Sequence, residues 1–132
     1  MKCLLLVDDQ TNDLRIAADA ARDLGITEVN AQTSVIRARQ YLEKGLEGEV
    51  PLPDAIVLDL DLGYESGFEL LRFWHSTPRL ASIPVIVWSV LEREQELCNL
   101  FKIRSFVSKW KGPAAFREAL AELITQDLKP LH

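Results

Sequence analysis

Two stretches decide the fold: Cys3-Leu4-Leu5-Leu6-Val7-Asp8-Asp9 and Ala55-Ile56-Val57-Leu58-Asp59. In each, an unbroken apolar run stops abruptly at acid. Such runs, with no polar alternation, mark strands covered on both faces, and a sheet covered on both faces is a parallel one. The same grammar recurs at Pro84-Val85-Ile86-Val87-Trp88, which ends at Ser89, and in a short strand Ser105-Phe106-Val107-Ser108, which ends at Lys109. A weaker strand is expected over Glu28 to Gln32.

Between these strands the apolar period changes from continuous to helical. Ile16, Ala17, Ala20, Ala21 and Leu24 recur on one face, with Thr11 or Asn12 as cap and Gly25 as stop. Thr33 or Ser34 caps a second helix carrying Val35, Ala38, Tyr41 and Leu42 and ending near Gly45. The acidic, proline-containing segment Leu46 to Asp54 is a surface loop. A third helix starts near Gly67 with Phe68, Leu71 and Trp74 inward, a charged fourth covers Glu92 to Phe101, and a fifth runs from Pro113 through Phe116, Leu120 and Leu123 to about Leu128.

Strands alternating with helices require crossover connections, hence an α/β, doubly wound, five-stranded parallel sheet with five helices. The flavodoxin-like order 2-1-3-4-5 sets the first and third strands side by side at the topological switch point, where ligands bind beyond the strands' carboxyl ends. Those are the two strands that end in aspartate.

The chain has 132 residues, 48% of them apolar and 27% charged, which suits one domain over 1–132. Its net charge of -5 and lack of a basic patch argue against nucleic acid as partner. The longest apolar runs are too short to span a bilayer, so no membrane association and a cytoplasmic location are expected. Cys3 and Cys98 have no paired spacing and read as free thiols. His75 and His132 have no ligand-like spacing and read as ordinary surface residues.

Asp8, Asp9 and Asp59, gathered at one sheet end, would repel one another and raise each other's pKa unless a positive charge compensates. Hard carboxylate oxygens suit Mg²⁺, which takes one or two carboxylates and completes its shell with water and phosphate oxygens. Lys109 offers a second positive charge, and Ser89 a hydroxyl that can donate to a phosphoryl oxygen. Strand ends thus supply the parts that phosphoryl transfer to Asp59 requires.

At these residues the sequence resembles the receiver domains of two-component response regulators, over Lys2 to about Leu128. The matching elements are Val7-Asp8-Asp9, Asp59 with Gly67 eight residues later, Ser89, and Phe106-Val107-Ser108-Lys109. The resemblance implies that Asp59 is the phosphoacceptor, and that Asp9, Asp59 and the backbone carbonyl of Asp61 ligate Mg²⁺ while Asp8 acts mainly through water. It implies contacts from Ser89 and Lys109 to the phosphoryl group. Phe106 would be the aromatic switch that follows Ser89 and repacks the face of the last two helices and fifth strand.

The implied donor is a sensor histidine kinase or a histidine phosphotransfer protein. The chain would catalyse only its own phosphorylation and dephosphorylation, rather than act as an enzyme on other substrates. After Leu128 too few residues remain for an output domain, so an unknown downstream protein is expected to read the signal. A homodimer through the last-helix face stays open.

Three positions depart from the family pattern. Gly63 stands where a proline often follows the phosphoacceptor loop, Val90 replaces a small residue after Ser89, and Trp110 replaces the proline after the lysine. That proline usually follows a cis bond, and a non-proline cis bond costs about 2.5–4 kcal/mol, which leaves the Lys109–Trp110 conformation open. Val90 with Asp61 and Leu91 is expected to restrict water near the phosphoryl group. Asp59-Leu60-Asp61 also resembles the DxD of haloacid-dehalogenase-type phosphatases, but their DxD closes the first strand. The remaining alternative is a receiver-like binding module without phosphotransfer. Trp88 and Trp110 flank the site residues and read as core or surface packing.

Overall fold

The computed structural model describes residues 1–127. β1 (Cys3–Val7), β2 (Glu28–Gln32), β3 (Ala55–Leu58), β6 (Val85–Ser89) and β7 (Ser105–Ser108) form one parallel sheet in the order β2-β1-β3-β6-β7. Counting sheet strands alone, this is the expected 2-1-3-4-5 order. A separate antiparallel hairpin, β4 (Asp61–Leu62) and β5 (Glu65–Ser66), rises directly after β3.

Successive side chains along a strand point to opposite faces, so each apolar run feeds two cores. Leu5, Val7, Ile56, Leu58, Val85 and Val87 pack against α2 (Val35–Leu46) and α3 (Gly67–Ser76). Leu4, Leu6, Ala55, Val57, Ile86 and Trp88 pack against α1 (Thr11–Asp23) and α6 (Pro113–Asp127). Phe116 of α6 is fully buried and stacks on Trp88, centroids 4.6 Å apart. On the opposite face Trp74 is buried with its indole N–H donating to the Ile83 carbonyl at 2.9 Å.

Among the described residues there are six α-helices where the sequence pattern suggests five. α4 (Pro78–Ala81) is the addition: Pro78 occupies the first helical position after Thr77, so the chain stops α3 and begins a new turn. The expected helix over Glu92 to Phe101 is a 3-10 turn at Glu92–Glu94 followed by a short α5 (Gln95–Asn99). Lys102, at φ 57°, lies in the turn after α5. The fourth sheet strand starts at Val85, one residue beyond Pro84, which lacks the N–H a ladder needs.

Neither Thr11 nor Asn12 caps α1. Gln10 occupies the cap position without a side-chain bond, and Asp8 Oδ1 instead accepts from the Gln10 N–H at 2.9 Å. Ser34 does cap α2, accepting from the Arg37 N–H at 3.2 Å. Phe68 is half-buried, in ring contact with Phe101, while Leu71 and Trp74 are buried as expected. The expected end of α6 at Leu128 and the surface assignment of His132 lie outside the described residues. Among the described residues, no helix is long and apolar enough to cross a membrane.

Candidate functional site

The strand register builds the site. Val7 pairs with Leu58, and the Asp59 N–H donates to the Val7 carbonyl at 2.9 Å, so Asp8 and Asp59 leave neighbouring strands side by side. Leu58 pairs with Val87, and Ser89 pairs with Ser108, which brings the ends of β6 and β7 to the same edge. Asp8, Asp9 and Asp59 each place a carboxylate oxygen within 4.8 Å of the others. Three hard oxygens this close fit a divalent cation.

Lys109 reaches across from the end of β7. Its Nζ donates to Asp8 Oδ2 at 2.7 Å, Asp13 Oδ2 at 2.7 Å and Asp59 Oδ2 at 2.9 Å. An ammonium has three hydrogens, and here each has a carboxylate. Burial alone would lower the Lys109 pKa, but bonds to Asp13, Asp8 and Asp59 outweigh it and raise it, so the lysine is charged. Asp8 moves the other way relative to its charge. Burial pushes its carboxyl up to about 6, against the lowering effect of Lys109 and the Gln10 N–H. The ammonium's three donors are each matched, but its single positive charge is shared among three carboxylates.

Asp13, in the first turn of α1, is the site residue that sequence reading missed. Its side chain is 26% exposed, against 7% for Asp8 and 4% for Asp59. The available signal was its place on the first helical turn after the strand that ends in Asp8. A first-turn acid is ordinarily explained by the helix dipole, and nothing in the linear pattern announces a lysine 96 residues away.

The remaining expected residues fall around this centre. Ser89 is fully buried and its Oγ accepts from the Leu91 N–H at 3.2 Å, which leaves its own proton free to donate. Phe106 is half-buried on β7 against the face that also holds Leu91, Phe101 and Ile103. Asp61 is exposed in the hairpin, and its N–H donates to Asp59 Oδ1 at 3.1 Å. Trp88 is core, with Lys109 Nζ 5.1 Å above its ring, whereas Trp110 is 76% exposed. Among the described residues there is no cis peptide, so the Lys109–Trp110 bond is trans. Ser108 Oγ holds that turn by accepting from the Trp110 N–H at 3.1 Å.

Two glycines shape the rim. At Gly67 a Cβ would sit 2.6 Å from the Asp59 carbonyl and 2.8 Å from Leu60 Cα, so α3 approaches the acid only because this residue has no side chain. Gly63 has φ +71°, a value closed to proline's fixed negative φ, and a Cβ there would lie 3.5 Å from Asp9 Oδ2.

No family model matches the chain. Response regulator Rcp1 of Synechocystis sp. is 27% identical over 135 residues, covering 94% of this chain and 92% of that protein. The chain has the fold of response-regulator receiver domains and resembles them in sequence. Its fold matches the phosphorylated cyanobacterial phytochrome response regulator RcpA at TM-score 0.78 and 26% identity, over 92% of this chain and 90% of that chain. It matches the bacteriophytochrome response regulator RtBRR at TM-score 0.77 and 27% identity, over 93% and 78% of the two chains. The chemotaxis regulator CheY4 of Vibrio cholerae, 18% identical, shares the fold at TM-score 0.76 over 97% of this chain and 99% of its own.

Proposed function

We propose that this receiver is a Mg²⁺-dependent phosphoacceptor in two-component signalling, with Asp59 as the residue modified. The observation that carries the reading is the Lys109 ammonium bonded at 2.9 Å to Asp59 Oδ2, beside two further carboxylates at the sheet's switch point. A carboxylate oxygen of Asp59 attacks the phosphorus of a phosphohistidine; the O–P bond forms as the N–P bond breaks, and the imidazole leaves with the electron pair. Asp9, Asp59 and the Asp61 carbonyl would hold magnesium, with Asp8 acting through water, and the ion would neutralise phosphoryl oxygens when bound. A manganese-bound form is described for Rcp1.

Lys109 exchanges its bond to Asp59 Oδ2 for one to a phosphoryl oxygen. Ser89 donates its unused hydroxyl proton to another, and the space it leaves admits Phe106. The output face is then α5, β7 and α6. Catalysis is confined to the domain's own phosphorylation and to the hydrolysis that ends it. The donor is a sensor histidine kinase or histidine phosphotransfer protein, and the phytochrome-associated names of RcpA and RtBRR favour a phytochrome-type kinase as the first to try. A downstream protein reads the phosphorylated face.

The test is phosphotransfer from candidate kinases to the wild type and to Asp59→Asn, read by mass spectrometry. Phosphate on Asp59, absent from the variant, is expected; phosphate elsewhere overturns the assignment. No transfer from any donor, together with no saturable response to magnesium and acetyl phosphate, would favour a binding module. Turnover of simple phosphate esters would favour the DxD phosphatase.

A further inference from the structure

We propose that Asp13 is a positioning residue that keeps Lys109 in the site when cation and phosphoryl group claim its other two carboxylates. The inference rests on the phosphoacceptor reading above. Lys109 spends its three donors on Asp8, Asp13 and Asp59. Asp8 and Asp59 also belong to the triad whose oxygens converge within 4.8 Å, but Asp13 does not. A divalent cation therefore draws on the same carboxylates that hold the lysine, and it repels the ammonium as well. Asp13 is the lysine partner that this competition leaves untouched.

The surroundings make that tether consequential. Lys109 stands at the end of β7 on a long flexible stem, and the residue after it, Trp110, is exposed and offers no wall. Its ammonium is held over the Trp88 face at 5.1 Å, and the side chain is only 9% exposed. Without Asp13, cation binding leaves the ammonium facing like charge with no uncontested carboxylate to hold it. With Asp13, the short 2.7 Å bond anchors it from α1, an element fixed by the buried Leu14 and Ala17. An opposing effect exists: the Asp13 charge also repels an incoming anion. It is weaker, because Asp13 is part-exposed and its charge is screened and already matched by Lys109, whereas the hydrogen bond acts at contact.

The experiment measures beryllofluoride affinity in the presence of magnesium, by tryptophan emission, for the wild type, Asp13→Ala, Asp13→Asn and Asp59→Asn. Asp13→Ala should weaken binding by about tenfold, the worth of one charge-assisted hydrogen bond. Asp13→Asn keeps an acceptor for the ammonium and should recover part of that loss. Equal or tighter binding in Asp13→Ala, or equal weakening in both Asp13 variants, overturns the inference. A second readout needs no phosphoryl analogue and covers a poorly folding Asp13→Ala: the Lys109 side-chain ammonium resonance in ¹⁵N-lysine-labelled protein. On adding magnesium it should persist in the wild type and exchange away in Asp13→Asn more than in the wild type; its loss in the wild type, or equal persistence in both, overturns the tether. Absence of any beryllofluoride response in the wild type would sink the phosphoacceptor reading itself, a result distinct from a wild-type response that Asp13 variants leave unchanged.

Discussion

Replacing Lys109 with Met keeps the hydrocarbon stem and removes the charge that three carboxylates share. Removing one partner of a buried ion pair costs about 3–5 kcal/mol, because the charge left behind has no water to replace the bond. Here two of the three abandoned partners, Asp8 and Asp59, are buried. Protonation limits the damage. Asp8 already stands at about 6 against an ordinary 3.8, a shift worth ~3 kcal/mol. A carboxyl raised in the folded state contributes stability that is fully present below its unfolded pKa and lost as pH rises through its folded one. Loss of Lys109 removes a bond that lowers the Asp8 value, so that value rises further and the window widens upward. The destabilisation of Lys109→Met should therefore be largest near about pH 8 and shrink by ~1.4 kcal/mol per pH unit for each proton taken up as pH falls. Urea denaturation across this range, with and without magnesium chloride, measures it. Magnesium should restore about 2.7 kcal/mol at a hundredfold excess over its Kd, since it binds the folded triad alone. A pH-independent loss, or a loss that magnesium leaves unchanged, would refute the shared-charge account.

Other expectations test separate parts of the structure. Gly67→Ala forces a Cβ to 2.6 Å from the Asp59 carbonyl; thermal melts should show a loss of ~1–3 kcal/mol, with slower phosphorylation because Asp59 must shift. Phe116→Ala empties a fully buried site under Trp88 and should cost ~3–5 kcal/mol in urea denaturation. Val90→Ala should shorten the acyl-phosphate half-life by admitting water; an unchanged half-life in a decay assay would count against that role.

Sheet order and the acid edge were legible because both follow from the same signal. Leu4 to Val7 and Ala55 to Leu58 are buried without exception, and parallel crossover geometry leaves little freedom once the strands are recognised. Local exceptions were not legible. Pro78–Ala81 is a single extra turn set by one proline, and Glu92 to Phe101 has helical composition but only Cys98 fully buried among its residues. Without a broad apolar face to dock, that segment has little to hold a long helix. Asp13 was hidden for a different reason: its role depends on a partner chosen by tertiary distance, while its local position already had a sufficient explanation. Asp8 shows the reverse. Its turn-forming bond to Gln10 and its bond to Lys109 use different oxygens, so the structural and chemical readings of the residue both hold.

The hairpin between β3 and α3 depends on two glycines, Gly63 for its positive φ and Gly67 for its close approach to Asp59. For anyone exchanging loops between related proteins, residues 61–67 are thus a cassette rather than a string of interchangeable positions. A donor hairpin grafted without Gly67 would press on the Asp59 backbone, and one without Gly63 would strain the turn beside Asp9, so a transplant meant to alter recognition would instead detune the chemistry.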